Sequence, residues 1–236
     1  ALAGLRALIE AAPVPSPLAE ELDARVAELF ADQSVKLRSS TNVEDLADFN
    51  GAGLYESYRA AAAGDERASS VVRKVWSSAW SFAAYEERAW WNVDQSQVAM
   101  GVAVNLAIAD EAANGVVITG GVSPCSPGQS YVNVQLGERS VTNPTGSAVP
   151  EAYCVVPNAA GGVQGRTVGY SSLSPERPLL SAAEVSKLEA RCQEVILHFA
   201  PLYGTPPSAT FLDLEFKFYG EDRALLIKQV RPFVAN

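Results

Sequence analysis

Apolar residues recur at helical spacing in the first part of the chain. Residues 1–11 and 17–31 are predicted to form two helices, the second of which starts with Pro17. Residues 67–91 are predicted to form one longer helix, because apolar side chains recur every four residues along one face. These positions are Val72, Trp76, Trp80 and Ala84. We expect this aromatic stripe to pack in the core.

The pattern changes near residue 97, where runs rich in β-branched residues begin to alternate with turn residues. These runs predict strands at 98–109, 115–119, 130–136 and 152–156. An earlier short strand is predicted at 34–38. The glycine-rich segment 161–169 follows a strand but opens no helix, so we interpret it as a loop.

The last part of the chain predicts a helix and then a β-hairpin. Residues 181–200 are periodic, and Ser181 with Glu184 three residues later forms a predicted capping box. Residues 211–232 alternate between apolar and polar side chains, which predicts the hairpin. The chain is therefore predicted to be α+β, with one lobe at 1–97 and another at 98–236.

Charge and composition exclude several classes of function. The 236 residues include 18 Lys and Arg against 27 Asp and Glu, a net charge of −9. The chain therefore lacks the basic surface of a nucleic-acid binder and the polybasic stretch of a membrane-surface binder. No apolar run reaches the roughly 18 residues of a membrane span. One histidine, His198, excludes a histidine-rich metal site.

The cysteines suggest neither a metal site nor a redox pair. Cys125, Cys154 and Cys192 are an odd set and form no C-x-x-C motif. We expect three unpaired thiols in a cytoplasmic protein.

Candidate chemistry is concentrated in the terminal hairpin. Asp213 and Glu215 lie on the face of its first strand opposite the apolar side chains. If the hairpin loop has three residues, Glu215 lies opposite Gln229 and Asp213 lies opposite Arg231, whereas a loop of even length would separate them. Carboxylates with an amide suit Mg²⁺, and a guanidinium suits phosphate oxygens. The alternative is an ordinary amphipathic hairpin with a solvated polar face.

A second polar segment follows the strand predicted at 34–38. Arg38 precedes three hydroxyl residues and Asn42, so residues 39–50 are predicted to be a loop that offers hydroxyl and backbone N–H groups to a polyphosphate. The glycine-bearing turn at 51–53 would let the backbone approach a ligand closely. The alternative is a polar loop with an arginine ion pair. Neither G-x-x-x-x-G-K-S/T nor G-x-G-x-x-G is present.

Six segments in order resemble the nucleotide-binding domain of the pyruvate phosphate dikinase and phosphoenolpyruvate synthase family, an ATP-grasp-type domain. The resemblance covers about residues 35–233. It begins with Arg38 in a segment similar to R-S-S-x-x-x-E-D-L and ends with a match to D-x-E followed by Q-x-R-P. The segments are 38–46, 53–57, 75–80, 114–119, 137–138 with 143–144 and 150–151, and 213–215 with 229–232. The resemblance implies an ATP-grasp-like fold of two lobes, with mixed or antiparallel sheets and flanking helices.

The resemblance also implies ATP and Mg²⁺ as cofactors. Glu215 and Gln229 would bind the metal, with Asp213 beside them. Arg38 and Arg231 would contact the β- and γ-phosphates and stabilise charge in phosphoryl transfer.

Asn105 and Leu106 would occupy the hinge where backbone groups hold adenine, and Glu138 would lie on the ribose side. The sequence departs from the family at two places on the phosphate side. No glycine-rich segment with a phosphate-binding lysine precedes residue 35, and Gly120 and Gly121 replace an Arg-Asn or Asp-Pro pair.

The function implied is a kinase-type transferase domain that passes phosphate from ATP to a histidine on another domain. Phosphohistidine and substrate domains, in the same or another chain, would be its partners. The family's phosphohistidine motif and pyruvate-binding barrel are absent, so this chain is expected to be an excised portion of a longer protein or a diverged relative, inactive alone. The alternative is a binding module that keeps the fold with weak or lost nucleotide binding.

Overall fold

The computed structural model describes residues 1–46, 49–51, 53–62, 64–139, 141 and 147–233. The chain divides into two compact units, Ala1–Ile108 and Ala109–Asn236. The division falls later than the expected boundary after residue 97, because the strand Met100–Leu106 pairs with a strand of the first unit. The predicted α+β class is confirmed, and every pairing between the described strands is antiparallel.

The first unit combines helices with a small sheet. Its elements are α1 (Leu2–Ala11), α2 (Ser16–Phe30), β1 (Val35–Thr41), β2 (Asp45–Leu46), β3 (Phe49–Asn50), β4 (Tyr58–Ala60), α3 (Ala68–Ser78), α4 (Phe82–Trp90) and β5 (Met100–Leu106). The sheet has the order β4-β1-β5. One face is apolar, and its Val35 and Leu37 are buried in a core with Val72 and Val75 of α3. The other face is left to polar side chains.

The single helix predicted over 67–91 is wrong, because a turn after Ser78 divides this segment into α3 and α4. α3 ends at Ser78, whose hydroxyl donates to the Val75 carbonyl at 2.7 Å. Such a bond to the preceding turn competes with regular helix. Ser81 then caps α4 by accepting a 3.1 Å hydrogen bond from the Ala84 N–H. The apolar spacing runs through this turn, which is why periodicity alone did not find it.

The second unit is one sheet covered by a long helix. Its elements are β6 (Glu111–Ile118), β7 (Tyr131–Leu136), β8 (Glu151–Pro157), β9 (Val163–Gly169), α5 (Ala182–Tyr203), β10 (Leu212–Tyr219) and β11 (Ala224–Pro232). The six strands have the order β11-β10-β6-β7-β8-β9. The interpretation of 161–169 as a loop is wrong, because this segment contains the edge strand β9. Gly165 there packs beside the Tyr153 ring, where an added Cβ would lie 3.1 Å from a ring carbon.

Helix α5 packs against one face of this sheet, and the other face carries the polar side chains of β10. Its Leu188 and Cys192 share a buried core with Phe216 and Phe218 of β10. The predicted capping box is confirmed at the start of the helix. The Ser181 hydroxyl accepts a hydrogen bond from the Glu184 N–H at 3.3 Å, and the Glu184 carboxylate accepts one from the Ser181 N–H at 2.7 Å.

The expectation of three unpaired thiols is wrong for two of them. Cys125 and Cys154 form a disulfide, while Cys192 is free and buried. Cys125 lies in the loop that leads into β7, and Cys154 pairs with Tyr131 of β7, so antiparallel pairing brings the two cysteines together. Among the described residues, no helix has the length and apolar character needed to span a membrane.

Candidate functional site

The hairpin of β10 and β11 brings four predicted site residues into register. Asp213 pairs with Arg231, and Glu215 pairs with Gln229. Opposite residues of an antiparallel pair project to the same side of the sheet, so the four side chains share one face. That face is opposite to the one packed on α5, because Leu212, Leu214 and Phe216 alternate with them and are fully buried.

This register arises by a different route from the one expected. Tyr219 pairs with Ala224, so residues 220–223 form a four-residue loop and the assumption of three residues is wrong. A loop of even length would have separated the site residues. Between Glu215 and Phe216 the partner strand contains one extra residue, Lys228, and this β-bulge restores the pairing.

Asp213 and Arg231 form a close ion pair. Oδ2 of Asp213 accepts hydrogen bonds from Arg231 Nε at 2.9 Å and from Nη2 at 2.7 Å, and both side chains are 15% exposed. Oδ1 of Asp213 is buried and has no hydrogen-bond partner within the described part of the chain. A buried carboxylate oxygen without a partner is costly, so this atom marks a place for a further cation or donor.

Glu215 is also matched by a cation. Nζ of Lys228 lies 3.2 Å from Oε2 of Glu215, with the two side chains 15% and 33% exposed. Further along the same face, Lys217 forms a nearly buried ion pair with Glu111. Carboxylates on the polar face of β10 and β6 are thus individually neutralised.

A cavity of about 210 Å³ adjoins Glu215 on this polar face, and Lys228 and Glu138 also line it. Asn114 positions Glu138, because its Nδ2 donates to the carbonyls of Gly137 and Arg139, on either side of Glu138. The structure thus brings two predicted site residues, Glu138 and Glu215, to one cavity.

Sequence reasoning missed Lys228 and Asn114 as site residues. Asn114 stands in a segment that carries the family resemblance, so its position was visible although its bonds were not. Lys228 adjoins Gln229 in sequence, but strict alternation would place it on the apolar face. Only the bulge turns it toward Glu215.

The metal expected from the resemblance can be tested against these residues. Within the described ranges, no group of three or more His, Cys, Asp or Glu side chains could hold an ion. Asp213, Glu215 and Gln229 supply two carboxylates and an amide, which suit a hard cation that keeps water or phosphate ligands. The unpartnered Oδ1 of Asp213 is the observation that favours this fit.

The remaining predicted residues lie in the first unit. Arg38 is on β1, which extends through Thr41, so the expected loop directly after Arg38 is wrong. On the same polar sheet face, Lys36 pairs with Asn105 on one side and with Arg59 on the other. This face therefore collects three cationic side chains. Leu106 ends β5 and is 40% exposed.

Two of the segments that carry the family resemblance include residues that either lie away from the candidate site or are not among the described residues. Ala52, in the glycine-bearing turn, is also not described. Glu151 lies opposite Val134 on the α5 side of the sheet, where its carboxylate accepts a hydrogen bond from the Leu179 N–H at 2.6 Å. Burial raises the pKa of Glu151, although that bond partly offsets the effect. Residues 143–144 lie outside the described residues.

The fold indicates a class of protein. The mix of antiparallel sheets and flanking helices is consistent with an ATP-grasp-like nucleotide-binding domain. The chain belongs to the family described as pyruvate phosphate dikinase, AMP/ATP-binding domain, which matches residues 1–235.

Two curated relatives are similar to this chain. It is 30% identical to the phosphoenolpyruvate synthase of Pyrococcus furiosus over 158 residues. That alignment covers 64% of this chain and 19% of the relative. This chain is 26% identical over 260 aligned positions to the probable phosphoenolpyruvate synthase of Pyrococcus horikoshii, covering 97% of this chain and 30% of the relative. The chain spans less than a third of the length of either relative. Family and relatives support nucleotide binding in a dikinase-like protein.

Proposed function

We propose that this chain is the ATP·Mg²⁺-binding part of a phosphotransferase of the dikinase or phosphoenolpyruvate synthase type, which passes phosphate to a histidine on another domain. Family membership and the names of the two relatives support this proposal. The observation that carries it is the hairpin register, which gathers two carboxylates, an amide and a guanidinium on one sheet face. Phosphohistidine and substrate domains would be the partners.

In this proposal, Glu215, Gln229 and Asp213 would hold Mg²⁺. When bound, the metal would neutralise charge on the phosphate oxygens. Asp213 fixes the plane of the Arg231 guanidinium through Nε and Nη2, which leaves the Nη1 N–H groups to donate to phosphate oxygens. A guanidinium held in place needs little reorganisation as negative charge develops.

The other predicted site residues have proposed roles in nucleotide recognition. Arg38 would bind phosphate oxygens from the cationic sheet face of the first unit. Asn105 and Leu106 would hold adenine through their backbone groups. Glu138, fixed by Asn114, would accept hydrogen bonds from the ribose hydroxyl groups.

The site assignment is tested by calorimetry of Mg·ATP binding to the full-length protein. Glu215→Gln keeps the size of the side chain and removes its charge, so we expect affinity to fall about tenfold or more, equivalent to roughly 1.4 kcal/mol. Glu176→Gln, at an exposed position of the second unit, is the matched control and should bind like the parent. Equal affinity of Glu215→Gln and the parent would remove Glu215 from the site.

A second candidate function is a binding module with weak or lost nucleotide affinity. Gly120 favours it, because the Phe211 ring fills the space a side chain would need, and an added Cβ would lie 2.0 Å from Cδ1. No phosphate-contacting side chain can therefore extend from this position.

Incubation of the full-length protein with radiolabelled ATP separates the two functions. Acid-labile label on histidine supports the phosphotransferase, and unlabelled protein without binding heat at millimolar nucleotide supports the module.

We also propose a cytoplasmic location, since ATP is the substrate. The Cys125–Cys154 disulfide weighs against this, because disulfides are rare in reducing compartments outside hyperthermophiles. Cell fractionation tests it: recovery with cytoplasmic markers supports the proposal, and recovery in an extracytoplasmic fraction contradicts it.

A further inference from the structure

Lys228 stands out on the polar face because no regular strand would place it there. It is the extra residue of the β11 bulge, and its side chain is only 15% exposed. Its Nζ lies 3.2 Å from Oε2 of Glu215, and both residues line the cavity of about 210 Å³. The bulge therefore places the Lys228 ammonium beside the Glu215 carboxylate.

A divalent cation bound to Glu215 and the Lys228 ammonium would repel each other. Mg²⁺ sits about 2.0–2.1 Å from a carboxylate oxygen, so an ammonium still 3.2 Å from Oε2 would lie beside it with like charge. Because the Lys228 side chain is only 15% exposed, solvent screens that repulsion less than it would at the open surface, even though the Glu215 side chain is 33% exposed. Metal binding at Glu215 therefore requires Nζ to move away, and the flexible lysine stem permits this.

We propose that Lys228 is a tethered counter-ion of Glu215, which a divalent metal must displace to bind there. Its ammonium holds the carboxylate in the metal-free state and lowers the affinity of the site for the metal. Once displaced, the ammonium remains beside the cavity, where it can meet an anion that arrives with the metal. This role rests on the nucleotide-binding function proposed above.

Mn²⁺ binding to the full-length protein without nucleotide tests the role directly, with free Mn²⁺ counted by electron paramagnetic resonance. Lys228→Met and Lys228→Gln both remove the competing charge, and each should bind Mn²⁺ about tenfold more tightly than the parent. Lys228→Arg keeps a cation and should bind as weakly as the parent. Using two neutral variants guards against failure of one to fold, which circular dichroism would reveal.

Two further variants show whether any gain comes from this site. Lys187→Met removes the same charge from an exposed position of α5 and should leave Mn²⁺ affinity unchanged. Adding Glu215→Gln to Lys228→Met should abolish the gain. Parent-like affinity in both neutral variants, or an equal gain in Lys187→Met, would overturn the proposal. Because nucleotide is omitted, this failure is distinguishable from failure of ATP binding.

Discussion

Gly115 is a position where the neighbouring strands leave no room for a side chain. It lies on β6 beneath the Phe216 ring, and an added Cβ would be 2.2 Å from the Asn133 carbonyl oxygen and 2.7 Å from Cζ of Phe216. The carbonyl belongs to the pairing of β6 with β7 and cannot move without breaking that pairing. A side chain at this position therefore distorts the sheet that carries the candidate site.

Gly115→Ala should accordingly lower the free energy of unfolding by about 1–3 kcal/mol, the usual cost of overpacking. Gly169→Ala is the matched control, since an added Cβ there meets nothing within 4 Å. Urea denaturation of both variants measures the difference. Equal stability of Gly115→Ala and the control would contradict the packing described for β6.

Glu151 makes a pH-dependent contribution to stability. Burial raises its pKa in the folded protein above the ordinary value of 4.5, so the fold favours the protonated form. The free energy of unfolding should therefore fall as pH rises from the ordinary pKa through the folded one. Glu151→Gln keeps an acceptor for the Leu179 N–H and removes the charge.

Relative to the parent, Glu151→Gln should become progressively more stable between acidic and neutral pH. Denaturant titrations across that range measure the difference, and Glu176→Gln serves as the exposed control that should show none. A difference that stays constant with pH would mean that Glu151 titrates normally in the fold.

Individual site residues were more predictable than their partners. Alternation along β10 placed Asp213 and Glu215 on the polar face correctly, because the strand is regular there. Asp213 does lie opposite Arg231 as expected, but through a four-residue loop and a bulge rather than the three-residue loop assumed, and the ion pair between them was not predicted. The pairing of Glu215 with Lys228 was not predicted either, because a bulge depends on tertiary packing and has no signature in strand periodicity.

At the scale of elements, long periodic helices and strands with clear alternation were predictable, and glycine-rich or interrupted segments were not. α5 and its capping box matched expectation because local side-chain chemistry specifies them. β9 was missed since its glycines hide the alternation, and the turn between α3 and α4 was missed since serine bonding breaks a helix whose apolar stripe continues.

The disulfide between the β6–β7 loop and β8 should stabilise the second unit. It joins residues 29 apart in sequence, and closing such a loop in the unfolded chain is worth about 3–4 kcal/mol in the chain-entropy account. Replacing both Cys125 and Cys154 by serine should lower the free energy of unfolding by roughly that amount. Cys192→Ser is no suitable control because Cys192 is buried in the core.

The comparison is best made by unfolding the parent with and without a dithiol reductant, and the double serine variant under the same conditions. Reductant should destabilise the parent and leave the variant unchanged. A parent that is insensitive to reductant, and whose three cysteines are all alkylated in denaturant without reductant, would show that the cysteines are unpaired in solution.

At the scale of the whole molecule, the α+β class and the family followed from sequence, while the division into two units falls later along the chain than the predicted lobe boundary. β5 begins after the change in composition near residue 97, yet it pairs with β1 in the first unit. Composition reflects only the local sequence, whereas the pairing of β5 with β1 joins residues far apart in the chain. The boundary could therefore not be read from composition. The overall charge of −9 likewise hides a sheet face with Lys36, Arg38 and Arg59.

The central claim is that nucleotide phosphates and metal bind at the polar face of β10 and β11. A crystal structure of the full-length protein with Mg²⁺ and a non-hydrolysable ATP analogue tests it most directly. We predict phosphate oxygens within hydrogen-bonding distance of Arg231 and metal bound to Glu215 and Gln229. An analogue bound elsewhere, with this face of the hairpin empty of nucleotide and metal, would contradict the claim.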